Sequence, residues 1–229
     1  MSDDVLISNS HSTLGCKLPK NFGLYMIISN PKIAYTTIAE ICVKHNIKYL
    51  QLREKQDKPG ALSDRDLLVI AREIKSITKD SNTIFIINDR VDICLLSEAD
   101  GVHLGQSNFH LAEVKKILPK EKVIGLSTHS ILQVDEAIKD NPDYIGYGPI
   151  YSTPTKSIPD PVVGCDSIYK VVKMSHIPVV VIGGIDENNI NHVLSAGAQN
   201  ICMVRYFMQC DTIEFENRII KTKELFENY

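Results

Sequence analysis

The chain has no excess of positive charge: 25 Lys and Arg stand against 28 Asp and Glu over 229 residues, a formal net charge of −3. That balance offers no global basic face, so nucleic acid is not expected as a partner, while a local basic pocket stays open. No CxxC pair occurs, and no cysteine sits at zinc spacing with a histidine pair. The six cysteines are Cys16, Cys42, Cys94, Cys165, Cys202 and Cys210, most of them among apolar neighbours. Buried free thiols are expected, which suits a reducing cytoplasm. The chain opens with Asp3 and Asp4 and shows no basic region followed by a long apolar run, so no signal peptide is expected. No apolar stretch approaches the length of a membrane span. There is no Pro/Gly/Ser-rich linker, internal repeat or low-complexity tract, which points to one domain.

What is present is an alternation. After a polar stretch at 1–21, read as an N-terminal extension, strand-like runs fall at 24–29, 49–54, 83–89, 101–105, 123–128, 145–151, 179–183 and 201–205. Stretches with helical spacing fall between and after them, at 33–45, 63–79, 91–97, 110–118, 131–139, 166–174, 189–196 and 213–228. Ser63, with Asp66 three residues on, resembles a capping box. The strand runs are nearly all apolar, as in parallel sheets buried on both faces. Eight such units predict an α/β protein, a single (β/α)8 TIM barrel over 22–229. A doubly wound open sheet is the competitor. It would normally carry a glycine fingerprint after its first strand, where Ser29, Asn30 and Pro31 stand instead.

In such barrels the chemistry sits at the C-terminal ends of the strands. Strand two ends Gln51-Leu52-Arg53-Glu54-Lys55, and period-two spacing puts Gln51, Arg53 and Lys55 on one face. Three donors there, two of them cationic, suit an anion; the alternative is a rim of solvated charge. Strand three ends Asn88-Asp89, and Asp89 is either a Mg²⁺ ligand beside phosphates or the cap of the next helix. Ser127 ends strand five and has a hydroxyl to donate. His129 reads as a structural hydrogen-bonder with no acid partner in view, and His103 as a core residue. Strand six runs into Thr153-Pro154-Thr155-Lys156, hydroxyls and an ammonium fit for a phosphate ester or else a plain surface turn. Gly183 and Gly184 end strand seven, and Val204 and Arg205 end strand eight; loops at these two strands commonly hold phosphate through backbone N–H groups. No nucleophile–base pair is apparent. The combined expectation is a cationic anion site beside a neutral, backbone-built one, a mouth that works by positioning and charge stabilisation.

The motifs QLREK, NDRVDI, ADGVHLGQ, GLSTH, YIGYGPIYSTPTK and PVVVIGGI resemble, in order over about residues 23–208, the thiamine-phosphate synthase family. The resemblance implies a cytoplasmic transferase that joins hydroxymethylpyrimidine diphosphate to hydroxyethylthiazole phosphate and releases pyrophosphate by a dissociative, Mg²⁺-assisted route. It implies that Gln51, Leu52, Arg53, Glu54, Lys55, Asn88, Ser127 and Lys156 hold the pyrimidine diphosphate, with Arg53, Lys55, Ser127 and Lys156 acting in catalysis. Thr153, Pro154, Thr155, Gly184, Val204 and Arg205 take the thiazole-phosphate positions, and Asp89 and Asn108 the metal positions. Two residues depart from the family pattern: Asn108 where an Asp is usual, and Arg205 where a Ser is usual. The implied partners are small phosphorylated substrates, with neither nucleic acid nor membrane, and a homodimer is the candidate assembly. Two rivals stand beside this reading: the related thiazole tautomerase, and a non-catalytic barrel that binds thiazole phosphate or thiamine phosphate.

Overall fold

The computed structural model describes residues 19–55, 60–153, 160–227 and 229. Its eight parallel strands close into a barrel in sequence order, β1 through β8, with β8 pairing back to β1. The strands are β1 (Gly23–Ile28), β2 (Tyr49–Leu52), β3 (Ile84–Asn88), β4 (Gly101–Leu104), β5 (Val123–Thr128), β6 (Tyr144–Tyr147), β7 (Val179–Ile182) and β8 (Asn200–Cys202). The helices α1 (Tyr35–Lys44), α2 (Asp64–Thr78), α3 (Val91–Leu96), α4 (Leu111–Ile117), α5 (Ile131–Asp140), α6 (Ile168–Met174) and α7 (Ile190–Ser195) fill the gaps between strands. α8 (Val204–Met208) and α9 (Thr212–Glu227) follow β8.

Local sequence explains the local structure. In α2, Leu67, Ala71, Ile74 and Thr78 recur at steps of three and four and form its buried face. Ser63 caps this helix, its hydroxyl accepting the Asp66 N–H at 3.1 Å. α5 begins the same way, with Ser130 accepting from Gln133 N–H, and stops at Asn141 in the left-handed region (φ 54°). Along the strands, alternate residues point to opposite faces. One set, including Leu50, Leu52, Phe85, Ile87 and Val102, packs between barrel and helices. The other, including Tyr25, Ile27, Tyr49, Ile86, Tyr144, Val180 and Cys202, fills the barrel interior. Cys42, Cys94, Cys165, Cys202 and Cys210 are free and buried, and burial pushes up the thiols of Cys42, Cys94, Cys202 and Cys210.

Two expectations at strand ends are corrected. Strand eight stops at Cys202, so Val204 and Arg205 belong to α8, a short extra helix that the apolar run of 201–205 concealed. Strand six stops at Tyr147 instead of 151. Gly148 N–H still donates to Thr128 O, Pro149 has no N–H to give, and the chain that follows bonds to the end of β7, Ile150 N–H to Ile182 O and Tyr151 N–H to Gly183 O.

Candidate active site

A cavity of about 810 Å³ opens at the C-terminal ends of the strands. Period two on β2 and its extension decides who reaches it. Gln51, Arg53 and Lys55 line the cavity, whereas Leu52 lies in the outer core. Glu54 is not among the lining residues; its carboxylate accepts Asn30 N–H at 2.7 Å and the Tyr35 hydroxyl at 3.0 Å. Asn88, Asp89 and Ser127 complete the same wall from β3 and β5. The Asp89 carboxylate is ion-paired to the Lys55 ammonium. It does not cap α3, whose N-cap residue is Arg90 and which has no side-chain cap hydrogen bond. Asp89 also holds a left-handed backbone (φ 60°), an uncommon conformation for a residue with a Cβ. Arg90 faces elsewhere and bridges Asp64 at 2.7 Å and Asp92 at 2.6 Å, which holds the Asp92 carboxyl below its usual range.

Asn108 lies beside Asp89. Its Oδ1 accepts Gly105 N–H at 2.5 Å, and a Cβ added to Gly105 would stand 3.4 Å from that oxygen and 3.9 Å from Asp89 Oδ1. One carboxylate and one amide oxygen therefore flank the same point. Among the described residues, no group of three or more His, Cys, Asp and Glu side chains gathers to hold a metal. A donor set this sparse fits a cation of the Mg²⁺ kind, which takes one or two protein carboxylates and leaves other positions to substrate phosphates and water.

The opposite wall comes from the ends of β6, β7 and β8 and includes Thr153, Gly183, Gly184, Val204 and Arg205. Gly183 (φ 107°) and Gly184 (φ 64°) hold conformations that favour glycine. Space demands it too: a Cβ on Gly184 would lie 2.6 Å from Tyr151 Cβ and 2.8 Å from Ser152 O. Arg205 is an exposed rim residue on the first turn of α8. Pro154, Thr155 and Lys156 lie outside the described residues.

Several residues that sequence reasoning passed over also meet here. His103 lines the cavity; its Nε2 is 2.9 Å from Ser127 Oγ, and its Nδ1 is 2.9 Å from the Tyr144 hydroxyl. Across the β3–β4 ladder it pairs with Asn88, which lines the same cavity. His129 does have an acid neighbour: Nε2 is 3.7 Å from Asp160, while Nδ1 is 2.6 Å from Gly148 O. That partner lies 31 positions along the chain, and no local pattern marks it. Asp186 and Glu187 also line the cavity. The described mouth thus holds three cations (Arg53, Lys55, Arg205) and four carboxylates (Asp89, Asp160, Asp186, Glu187), so it is mixed in charge and not uniformly cationic.

Fold and mouth together define the class: a (β/α)8-barrel enzyme whose polar side chains and paired glycines converge at the C-terminal strand ends. Comparison with known proteins narrows it. A sequence model of the family described as thiamine monophosphate synthase matches residues 24–207. The chain is 35% identical over 207 residues to a thiamine-phosphate synthase of Halalkalibacterium halodurans, covering 89% of this chain and 95% of that one. It is 36% identical over 217 residues to that of Dictyoglomus turgidum, covering 93% and 95%. A solved thiamine phosphate pyrophosphorylase from Pyrococcus furiosus superposes with a TM-score of 0.74 at 28% identity, over 90% of this chain and 98% of that one. The chain belongs to the thiamine monophosphate synthase family and is a transferase of that type.

Proposed function

We propose that this enzyme condenses hydroxymethylpyrimidine diphosphate with hydroxyethylthiazole phosphate, giving thiamine phosphate and pyrophosphate. The single observation that carries this reading is the β2 wall: Gln51, Arg53 and Lys55 face one cavity together with Asn88, Asp89 and Ser127. In the reaction, the bond between the pyrimidine methylene carbon and the diphosphate oxygen breaks, and its electron pair leaves with the diphosphate. The thiazole nitrogen then gives its lone pair to the carbocation left behind. Arg53 and Lys55 bind the diphosphate and stabilise the charge that develops on it, a task in which each preorganised donor is worth roughly 10²–10³ in rate. Lys156 joins them in this reading. Gln51 and Asn88 orient the pyrimidine, and Ser127 donates a hydrogen bond to the same substrate. The thiazole phosphate lies against Thr153, Thr155, Gly184 and Val204, where backbone N–H groups and the start of α8 suit an anion. Arg205, on the rim, adds a point charge to that phosphate.

A Mg²⁺ ion fits at Asp89, with the Asn108 carbonyl oxygen as a weak second donor; when bound, it would neutralise charge on the diphosphate. Lys55 would have to share Asp89 with it. Residues 1–21 are read as an extension to the barrel of 22–229. No helix among the described residues is long and apolar enough to cross a membrane. The family reading implies a cytoplasmic enzyme, with a homodimer as the candidate assembly.

One observation favours a second reading, thiazole tautomerisation: His129 and Asp160 form an acid–base pair facing the cavity. A coupled assay for pyrophosphate release, run with both substrates and Mg²⁺, separates the readings. Release requires the synthase; turnover of a thiazole isomer without release is the tautomerase, and binding without turnover is a passive barrel.

A further inference from the structure

The floor of the cavity holds an unbroken hydrogen-bond chain across five strands. Gln51 Nε2 donates to the Tyr25 hydroxyl at 2.9 Å. The Tyr25 and Tyr144 hydroxyls are 2.7 Å apart. Tyr144 meets His103 Nδ1, and His103 Nε2 meets Ser127 Oγ, each at 2.9 Å. Gln51, Tyr25 and Tyr144 are fully buried, so each hydroxyl hydrogen there needs an acceptor.

Each phenol has one hydrogen, which gives the chain a direction. Tyr25 accepts from the Gln51 amide, so its own hydrogen goes to the Tyr144 oxygen. The Tyr144 hydrogen then goes to His103 Nδ1, which must be unprotonated to accept it. Burial holds both phenols well above their ordinary pKa, so they stay O–H donors. His103 therefore carries its proton on Nε2 and donates it to Ser127 Oγ. The serine hydrogen, displaced from the histidine, is free to turn into the cavity.

We propose that the relay Gln51–Tyr25–Tyr144–His103 holds Ser127 as a hydrogen-bond donor to the cavity, which makes His103 and the two phenols positioning residues for a substrate that presents a lone-pair or anionic acceptor there. A serine 2.9 Å from a histidine resembles a nucleophile and its base. The relay excludes that role, because Nε2 has no lone pair to take the serine proton. The interior is shaped for the relay: a Cβ on Gly125 would fall 2.1 Å from Tyr144 Cζ and 2.4 Å from its hydroxyl oxygen. The tautomer is inferred from the hydrogen-bond chain together with the burial of its phenols; its consequence for turnover rests on the synthase reading above.

The test is ¹⁵N NMR of the ligand-free enzyme labelled at histidine, near neutral pH, with the His103 resonances assigned by their loss in His103→Gln. A neutral ring protonated at Nε2 is expected; protonation at Nδ1, or at both nitrogens, overturns the proposal whatever the enzyme catalyses. Kinetics give the second reading. His103→Gln, whose amide N–H can still donate to Ser127, should keep kcat within roughly tenfold of the parent, the size of one neutral hydrogen bond. His103→Leu should lose roughly a hundredfold in kcat with KM little changed, as expected for a donor that acts in the transition state. Equal losses in the two variants overturn the donor role, because a merely structural histidine would not distinguish them.

Discussion

On the β2, β3 and β5 side of the mouth, the polar groups are side chains: two amides, a guanidinium, an ammonium, a carboxylate and a hydroxyl. On the β6, β7 and β8 side, Gly183, Gly184 and the start of α8 bring backbone to the cavity beside the side chains of Thr153, Asp186, Glu187 and Arg205. The two walls should therefore fail in different ways. The first is dismantled one side chain at a time. The second yields when a methyl group is added where none fits, or when its glycine backbone is forced out of the left-handed region.

The largest expected effect is on the side-chain wall. Arg53→Ala should lower kcat for pyrophosphate release by roughly 10²–10³, the range seen when one preorganised donor is removed, with an unchanged circular dichroism spectrum. Next comes the backbone wall. Gly184→Ala places a Cβ within 3 Å of three atoms of Tyr151 and Ser152 at φ 64°. It should cost roughly 1–3 kcal/mol of stability through left-handed strain and raise KM for the thiazole phosphate more than it lowers kcat. A loss confined to KM for the pyrimidine diphosphate would reverse the assignment of the two walls. Asn108→Asp comes third. The acid keeps an oxygen for Gly105 N–H and adds a charge beside Asp89, so Mg²⁺ affinity in titration should rise roughly threefold to tenfold, as ligand charge count sets affinity. Unchanged affinity would remove position 108 from the metal site. The smallest effect is expected for Arg205→Ser: a few-fold rise in KM for the thiazole phosphate that fades with added salt, because an exposed charge is well screened.

The same contrast explains what the sequence disclosed. The barrel was legible because eight apolar runs alternate with helical spacing, and each run is buried on both faces. The β2 wall was legible because period two is rigid: once Gln51 points inward, Arg53 and Lys55 follow, and Leu52 and Glu54 must turn away. The motif resemblance had grouped those two with the substrate contacts. The structure instead puts Leu52 in the outer core and Glu54 on Asn30 and Tyr35. The ends of β6 and β8 were less legible, because an apolar run does not say where a ladder stops and a helix of five residues starts. Asp160, Asp186 and Glu187 were missed for a different reason. They come from loops, whose approach to the mouth is set by tertiary packing and not by any local period. Their carboxylates change the electrostatic picture from a positive rim to one of mixed charge.

The central claim is that Arg53 and Lys55 receive the departing diphosphate. A crystal of the enzyme soaked with pyrophosphate and Mg²⁺ tests it most directly. The account predicts both phosphorus atoms on the β2–β3 wall, within hydrogen-bond reach of Arg53 and Lys55. Pyrophosphate seated instead at Gly184 and Val204, with Arg53 turned to solvent, would contradict it.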